Sequence, residues 1–226
     1  MTIMDHVIIH DNVTIENNTV IGPFSIIGER LLRFYSDSKN YENPKTIIGG
    51  NSLIRSHSVI YAGCTLGRNF RSGHSIIIRE NSSFGTDCMF GSFCQTDANV
   101  KIGSHVRCHS KIFLAEGVEV GEFSCLYPDV ITTDVRHPPY REGCAPPRIG
   151  SKCIIGAGTT LLAGIAIGDG AFIAAASLVT SDIGQKMLAM GRPARETKSV
   201  SEIQVSGLEK LNPYPIDEEI IKNWSR

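Results

Sequence analysis

The chain has 226 residues, 42% of them hydrophobic and 7% aromatic, with 22 Lys and Arg set against 23 Asp and Glu for a net charge of −1. That length makes one large domain, or one domain with a small appendage, and it can bury a core without metals or disulfides. The balanced charge and scarce aromatics exclude a nucleic-acid footprint or attraction to an acidic membrane, and a mean hydropathy of −0.01 excludes a disordered chain.

In chain order, Met1-Thr2-Ile3-Met4-Asp5-His6 lacks the basic start and apolar run of a signal peptide. The longest uncharged apolar stretch, Cys153 to Gly168, ends after 16 residues at Asp169 and is broken by Gly156, Gly158 and Gly164. A spanning helix needs about 20 residues. The expectation is a soluble cytoplasmic protein with no membrane partner. Seven cysteines without a C-x-x-C pair suggest neither a disulfide framework nor a zinc site.

A period of six runs through most of the chain. Ile9, Ile15, Ile21 and Ile27 open it, and an unbroken phase from Ile48 to Thr132 follows. Ile149, Ile155, Leu161, Ile167, Ile173 and Val179 close it. Of 25 such leading positions 22 are apolar, the exceptions being Ser72, Thr96 and Thr132; the composition alone would give about ten. Glycine often comes next, as at Gly22, Gly49 and Gly91, where it is expected to relax a turn. Four residues after the leading position the side chains are small, as at Ser25, Cys64, Cys88, Cys94, Cys153 and Ser177. Neither a helix nor a free strand has this period. It fits short strands and turns wound into a coil, with aliphatic residues and small cysteines inside, stable only when stacked.

Two stretches break the phase, at about 31–46 and 133–148. The first is polar, with Tyr35, Tyr41 and Pro44, and reads as a loop or hairpin. The second contains Pro138, Pro139, Pro146 and Pro147 and is too stiff to continue a ladder. After Val179 the pattern stops. Residues 1–196 then form the coiled domain, and 197–226 a helical tail from the amphipathic stretches 201–211 and 217–224, expected to cover an open coil end.

This six-residue pattern resembles that of the hexapeptide-repeat acyltransferases, whose left-handed parallel β-helix takes three hexads per triangular coil. The resemblance covers roughly residues 8–196 and implies an all-β solenoid of a little over eight coils. Ile155 to Ile183 is similar to the last coils of the family's coenzyme A-dependent acetyltransferases, and Gly191-Arg192-Pro193-Ala194-Arg195 resembles their G-N-P-A-R element with Arg for Asn. The resemblance implies acetyl-CoA as co-substrate. Gly164, Ala175, Ala176 and Ser177 would flank its thin arm, and Arg192, Pro193 and Arg195 its phosphates.

His74-Ser-Ile-Ile-Ile-Arg79 and Thr133-Asp134 are similar to segments of sugar-nucleotide N-acetyltransferases, which makes His74, Arg79 and Thr133 candidates for acceptor contact. Thr132 to Pro138 also resembles the T-x-x-H-P region of galactoside and maltose acetyltransferases, with Val135 and Arg136 added; there the His before Pro is the base, so His137 and Asp134 are rival catalytic candidates. The family implies a homotrimer with sites between adjacent subunits, acting on the amino group of a nucleotide-linked sugar, without a metal. Transfer to a hydroxyl of a sugar, antibiotic or polysaccharide is the alternative. A γ-type carbonic anhydrase, which shares the coil, would need a third histidine to join His105 and His109. A scaffold without catalysis is the remaining reading.

Overall fold

The computed structural model describes residues 1–139, 145–204 and 218–219. Most strands are two or three residues long and hydrogen-bond to the strand one circuit away. Ile77–Ile78 pairs in parallel with Gln95–Thr96, which pairs in turn with Phe113–Leu114. The pairings sort into three ladders of eleven, nine and eight strands. Ladder I starts at Thr2–Ile3, ladder II at Ile8–Ile9 and ladder III at Val13–Ile15. The chain visits them in rotation, so each circuit is one triangular coil of a left-handed parallel β-helix, the fold that the resemblance implies.

Within residues 1–196 the coil extends beyond both ends of the six-residue phase. Thr2–Ile3 already pairs with Val20–Ile21. Beyond Val179, Ile183 bridges Ile167, and Met187–Gly191 adds to ladder I beside Phe172–Ile173 before reversing into the antiparallel strand Ala194–Ser199. The extra turn was hidden because Ile183 and Leu188 fall off the six-residue phase. That last strand runs through residue 196, and a single 3-10 turn, Val200–Glu202, follows it. The rest of the expected tail helices lies outside the described residues, apart from Glu218 and Glu219. Glu218 reaches Lys152 at 2.6 Å, on the side of the coil. The first interruption contains one short helix, Leu32–Ser36, where a loop or hairpin was expected.

The leading residues fill the coil interior. Ile21, Ile27, Ile48, Ile54, Ile60 and Ile78 are fully buried. The three polar exceptions are buried too, and each accepts a main-chain N–H of the preceding coil: Ser72 from Arg55 at 2.9 Å, Thr96 from Arg79 at 3.1 Å, and Thr132 from Ala115 at 2.8 Å. A hydroxyl inside the coil is tolerated because it is satisfied. The small slots are buried as well; Ser52 and Ser58 each donate to a turn carbonyl at 2.6 Å. Cys64, Cys88, Cys94, Cys108 and Cys153 are buried packing residues. Burial pushes the Cys64 thiol up to about 12 and Cys88 up to about 11, which leaves them protonated and unreactive.

The corners turn differently from the expectation. The left-handed residue is not the glycine after the leading position but the residue two further on. In steps of six, Asn69, Ser75, Asn81, Asp87, Phe93, Asn99, His105 and Lys111 all have φ between +55° and +62°. Asn and Asp take that conformation readily, whereas Phe93 and Lys111 bear a steric cost there. The glycine answers a different need. A Cβ on Gly91 would stand 2.6 Å from the His109 carbonyl carbon in the next coil. Gly91→Ala is therefore expected to push two coils apart and cost about 1–3 kcal/mol, measured as a lower denaturation midpoint. An unchanged midpoint would mean the coils are not stacked this closely.

Candidate functional site

Three ladders give three edges, and eighteen residues separate equivalent positions on one edge. Both interruptions leave from edge II–III. The first departs after Ile26–Glu29 and returns at Thr46–Ile48; the second departs after Ile131–Thr132 and returns at Arg148–Ile149. Between them, in successive coils, this edge carries Tyr61, Arg79 and Glu80, Asp97, Glu116, and Asp134.

Arg79 grips Glu80 through both carboxylate oxygens, Nε to Oε2 at 2.6 Å and Nη2 to Oε1 at 2.7 Å, and its guanidinium lies 5.1 Å from the Tyr61 ring centre. Burial works to raise the Glu80 carboxyl, but this fork overcomes it and holds the group below its ordinary range. Asp97, in the next coil, behaves oppositely. Partial burial raises its pKa, and the charges of Asp134, Glu116 and Glu80 push the same way against Arg79. Two carboxylates on this edge are thus shifted in opposite directions, Glu80 down and Asp97 up.

The first residues of the second interruption lie against the last coils. Thr133 Oγ1 accepts the Ala163 N–H at 3.0 Å, and Arg136 donates to the carbonyls of Ala163, at 3.3 Å, and Thr180. Asp134 is half-buried and His137 is exposed. Gly164 sits on the same edge with φ +78°, and among the described residues a Cβ there would meet nothing within 4 Å.

The remaining candidates lie elsewhere. His74 is on edge I–II, bonded to Ser56 Oγ through Nδ1 at 2.8 Å, one ladder width from Arg79. Ala175, Ala176 and Ser177 are also on edge I–II; the two alanines are exposed, and Ser177 is buried, donating to Ala174 at 2.7 Å. Arg192 and Pro193 form the exposed tip of the hairpin between Met187–Gly191 and Ala194–Ser199, and Arg195 follows, also exposed. Within one chain, Arg79, Thr133, Asp134 and Gly164 therefore share an edge, whereas His74, Ala175, Ala176 and Ser177 share another. Asp97, Glu116 and Tyr61 were missed. Folding the sequence at eighteen, not six, would have put Arg79 above Asp97 and lined up Glu80, Glu116 and Asp134.

His105 and His109 do not converge. They occupy opposite edges of ladder I, stacked on Phe123 at 4.6 Å and on Tyr127 at 4.8 Å. Among the described residues no group of three His, Cys, Asp or Glu is arranged to hold a metal, and no helix is long and apolar enough to cross a membrane.

Repeat and coil together define a left-handed parallel β-helix built on hexapeptide repeats, and the comparisons are consistent with the acyltransferase family that the sequence resembles. No family model matches the chain. Among curated proteins it is similar to the bifunctional protein GlmU of Dichelobacter nodosus, 30% identical over 153 residues, covering 65% of this chain and 30% of that protein. GlmU of Staphylococcus haemolyticus is 28% identical over 194 residues, covering 84% of this chain and 38% of that protein. The chain thus spans about a third of the length of these relatives. Among solved structures, the UDP-N-acetylglucosamine O-acyltransferase LpxA of Moraxella catarrhalis superposes with a TM-score of 0.72 at 20% identity, covering 88% of this chain and 75% of that one. That likeness speaks for the fold.

Proposed function

We propose that the protein is a cytoplasmic acetyltransferase that moves an acetyl group from acetyl-CoA to the amino group of a nucleotide-linked amino sugar. The observation that carries this reading is the row of Arg79, Glu80, Asp97, Glu116 and Asp134 along edge II–III, bracketed by the only two interruptions of the coil among the described residues and running toward Gly164. An amino sugar arrives as an ammonium, which an acidic edge attracts and an ionised carboxylate with a raised pKa can relieve of its proton.

In this reading Asp97 takes that proton. The freed amine lone pair attacks the thioester carbonyl and the C–N bond forms; as the C–S bond breaks, the nitrogen loses its second proton, which goes to the departing CoA thiolate, and Asp97 returns the first to solvent. Asp134 and Thr133 contact the acceptor, and Arg79 fixes Glu80. His137 is the rival base. The donor residues divide between two edges of ladder II: Gly164 on one, Ala175, Ala176 and Ser177 on the other. One chain cannot close them on a single arm. Adjacent copies can, with edge I–II of one facing edge II–III of the next, and so the homotrimer is part of the proposal.

Incubation with acetyl-CoA and a panel of amino-sugar nucleotides, with hydroxyl sugars alongside, is expected to release free thiol with an amine only. Release with hydroxyl sugars alone would replace N-acetylation by O-acetylation; no release with any acceptor would leave a scaffold. The exposed Arg192 and Arg195 are expected to meet the CoA phosphates. Replacing both by Ala should weaken CoA binding by about 1–3 kcal/mol in calorimetry. An unchanged affinity would take the hairpin tip out of the donor site.

A further inference from the structure

Arg79 and Asp97 hold the same corner position in successive coils. Their strands pair Ile77 with Gln95 and Ile78 with Thr96, and the Arg79 N–H donates to Thr96 Oγ1 at 3.1 Å, next to Asp97 in sequence. Main chains stacked in this way lie about 4.8 Å apart. A guanidinium at that range readily forks a carboxylate, and a carboxylate locked in such a pair is a weaker proton acceptor. Among the described residues, however, the ion pair of Arg79 is with Glu80 and not with Asp97. Nε and Nη2 both point at the Glu80 carboxylate, at 2.6 and 2.7 Å, and the Tyr61 ring of the preceding coil lies 5.1 Å from the guanidinium. The Glu80 side chain is only 20% exposed, so this is not the loose, solvated contact that surface charges usually make. Partial burial acts to raise the Asp97 pKa, and Arg79, one coil before, works against it. Asp134 from two coils on, Glu116 from the next coil and Glu80 push the same way as burial. The direction in which the guanidinium points therefore bears directly on how freely Asp97 exchanges a proton.

We propose that Glu80 is a positioning residue for acyl transfer: it holds the Arg79 guanidinium off the Asp97 carboxylate and leaves that carboxylate free to take the acceptor's proton. The inference rests on the acetyl-transfer reading, in which Asp97 is the base. Glu80 acts through Arg79 and does not itself touch the reacting atoms. A cation is drawn to an aromatic ring, so the Tyr61 ring and the Glu80 fork restrain the guanidinium from two sides. The pairing has a second effect. A bare guanidinium on this edge would repel an ammonium acceptor, and Glu80 cancels its charge where the acceptor arrives.

The test combines the acid limb of the pH–rate profile with carboxyl carbon-13 NMR titration of Asp97 in the intact protein, a measurement that needs neither acceptor nor acetyl-CoA. Glu80→Gln frees the guanidinium to turn to Asp97 and is expected to move both readings to lower pH, by about one pH unit. Adding Arg79→Gln removes the cation as well, and both readings should return to the wild-type position or beyond it. Arg79→Lys keeps the charge but loses the two-armed grip. It should move both readings in the same direction as Glu80→Gln, and it decides the matter if Glu80→Gln does not fold. An Asp97 titration that stays in place in these variants overturns the proposal. So does an equal displacement by Glu80→Gln in the wild-type and Arg79→Gln chains, because Glu80 would then act by its own charge alone. A titration that moves while the activity limb stays in place removes Glu80 from the transfer and Asp97 from its role as base, and so tells failure of the acetyl-transfer reading apart from failure of the hold on Arg79.

Discussion

An Ile78→Asp chain is expected not to accumulate as a folded protein. Ile78 points into the coil with no exposure, paired with Ile60 in the coil before and Thr96 in the coil after. A carboxylate there meets no cation, and bringing it inside, charged or protonated, costs several kcal/mol. Whole-domain stability is about 5–15 kcal/mol, so one such residue removes most of it. The neighbouring Ile77 is half-buried and faces outward. Ile77→Asp should therefore melt within a few degrees of wild type. Soluble yield and far-ultraviolet circular dichroism of the pair decide the matter: a stable Ile78→Asp protein would mean that the inward and outward slots are interchanged.

The largest effect on activity is expected at Asp97. Asp97→Asn keeps the size and removes the base, and it should lower kcat by about 10²–10⁴-fold with CoA affinity intact. The pH profile carries the signature. Asp97 works as a base only when ionised, and burial together with Asp134, Glu116 and Glu80 raises its pKa. Wild-type activity should fall as pH drops through the raised pKa of Asp97, and Asp97→Asn should lose that limb. In stability the same shift has the opposite sense: the raised pKa means the folded state binds this proton more tightly than the unfolded chain, so Asp97 disfavours folding above its folded pKa and the penalty fades as pH falls. A greater loss in His137→Asn than in Asp97→Asn would move the base to the second interruption. A greater loss in Asp134→Asn would move it one coil pair along the edge.

The fold was legible because its unit repeats. A single misplaced residue, such as Thr96 in an interior slot, does not blur a phase shared by Ile60, Ile78 and Leu114. The site was legible only in part. Arg79, Thr133 and Asp134 stand in segments with a recognisable neighbourhood, whereas Asp97 stands in an ordinary hexad, Gln95-Thr96-Asp97-Ala98, and gains its character from Arg79 eighteen residues before it and Asp134 from a later coil. Local spacing does not contain that information. Gly91 shows the same limit: its place after a leading residue was visible, but the need for it lies in the backbone of His109, one circuit on. The hairpin Met187–Gly191 and Ala194–Ser199 escaped notice because its residues abandon the period when the coil ends.

Both interruptions leave and rejoin the coil on a single edge, so length added there shifts nothing downstream. Elsewhere the chain admits changes of length only in fixed steps. Loss of one hexad would keep every aliphatic residue inside, yet it would rotate all later residues by a third of a turn and carry Asp134 from its edge to another. Loss of three hexads would shorten the prism by one storey and leave each column vertical. The interior therefore counts in sixes and the working edge in eighteens. Variants that satisfy the first rule but break the second would be folded, soluble proteins with their chemistry dispersed around the prism.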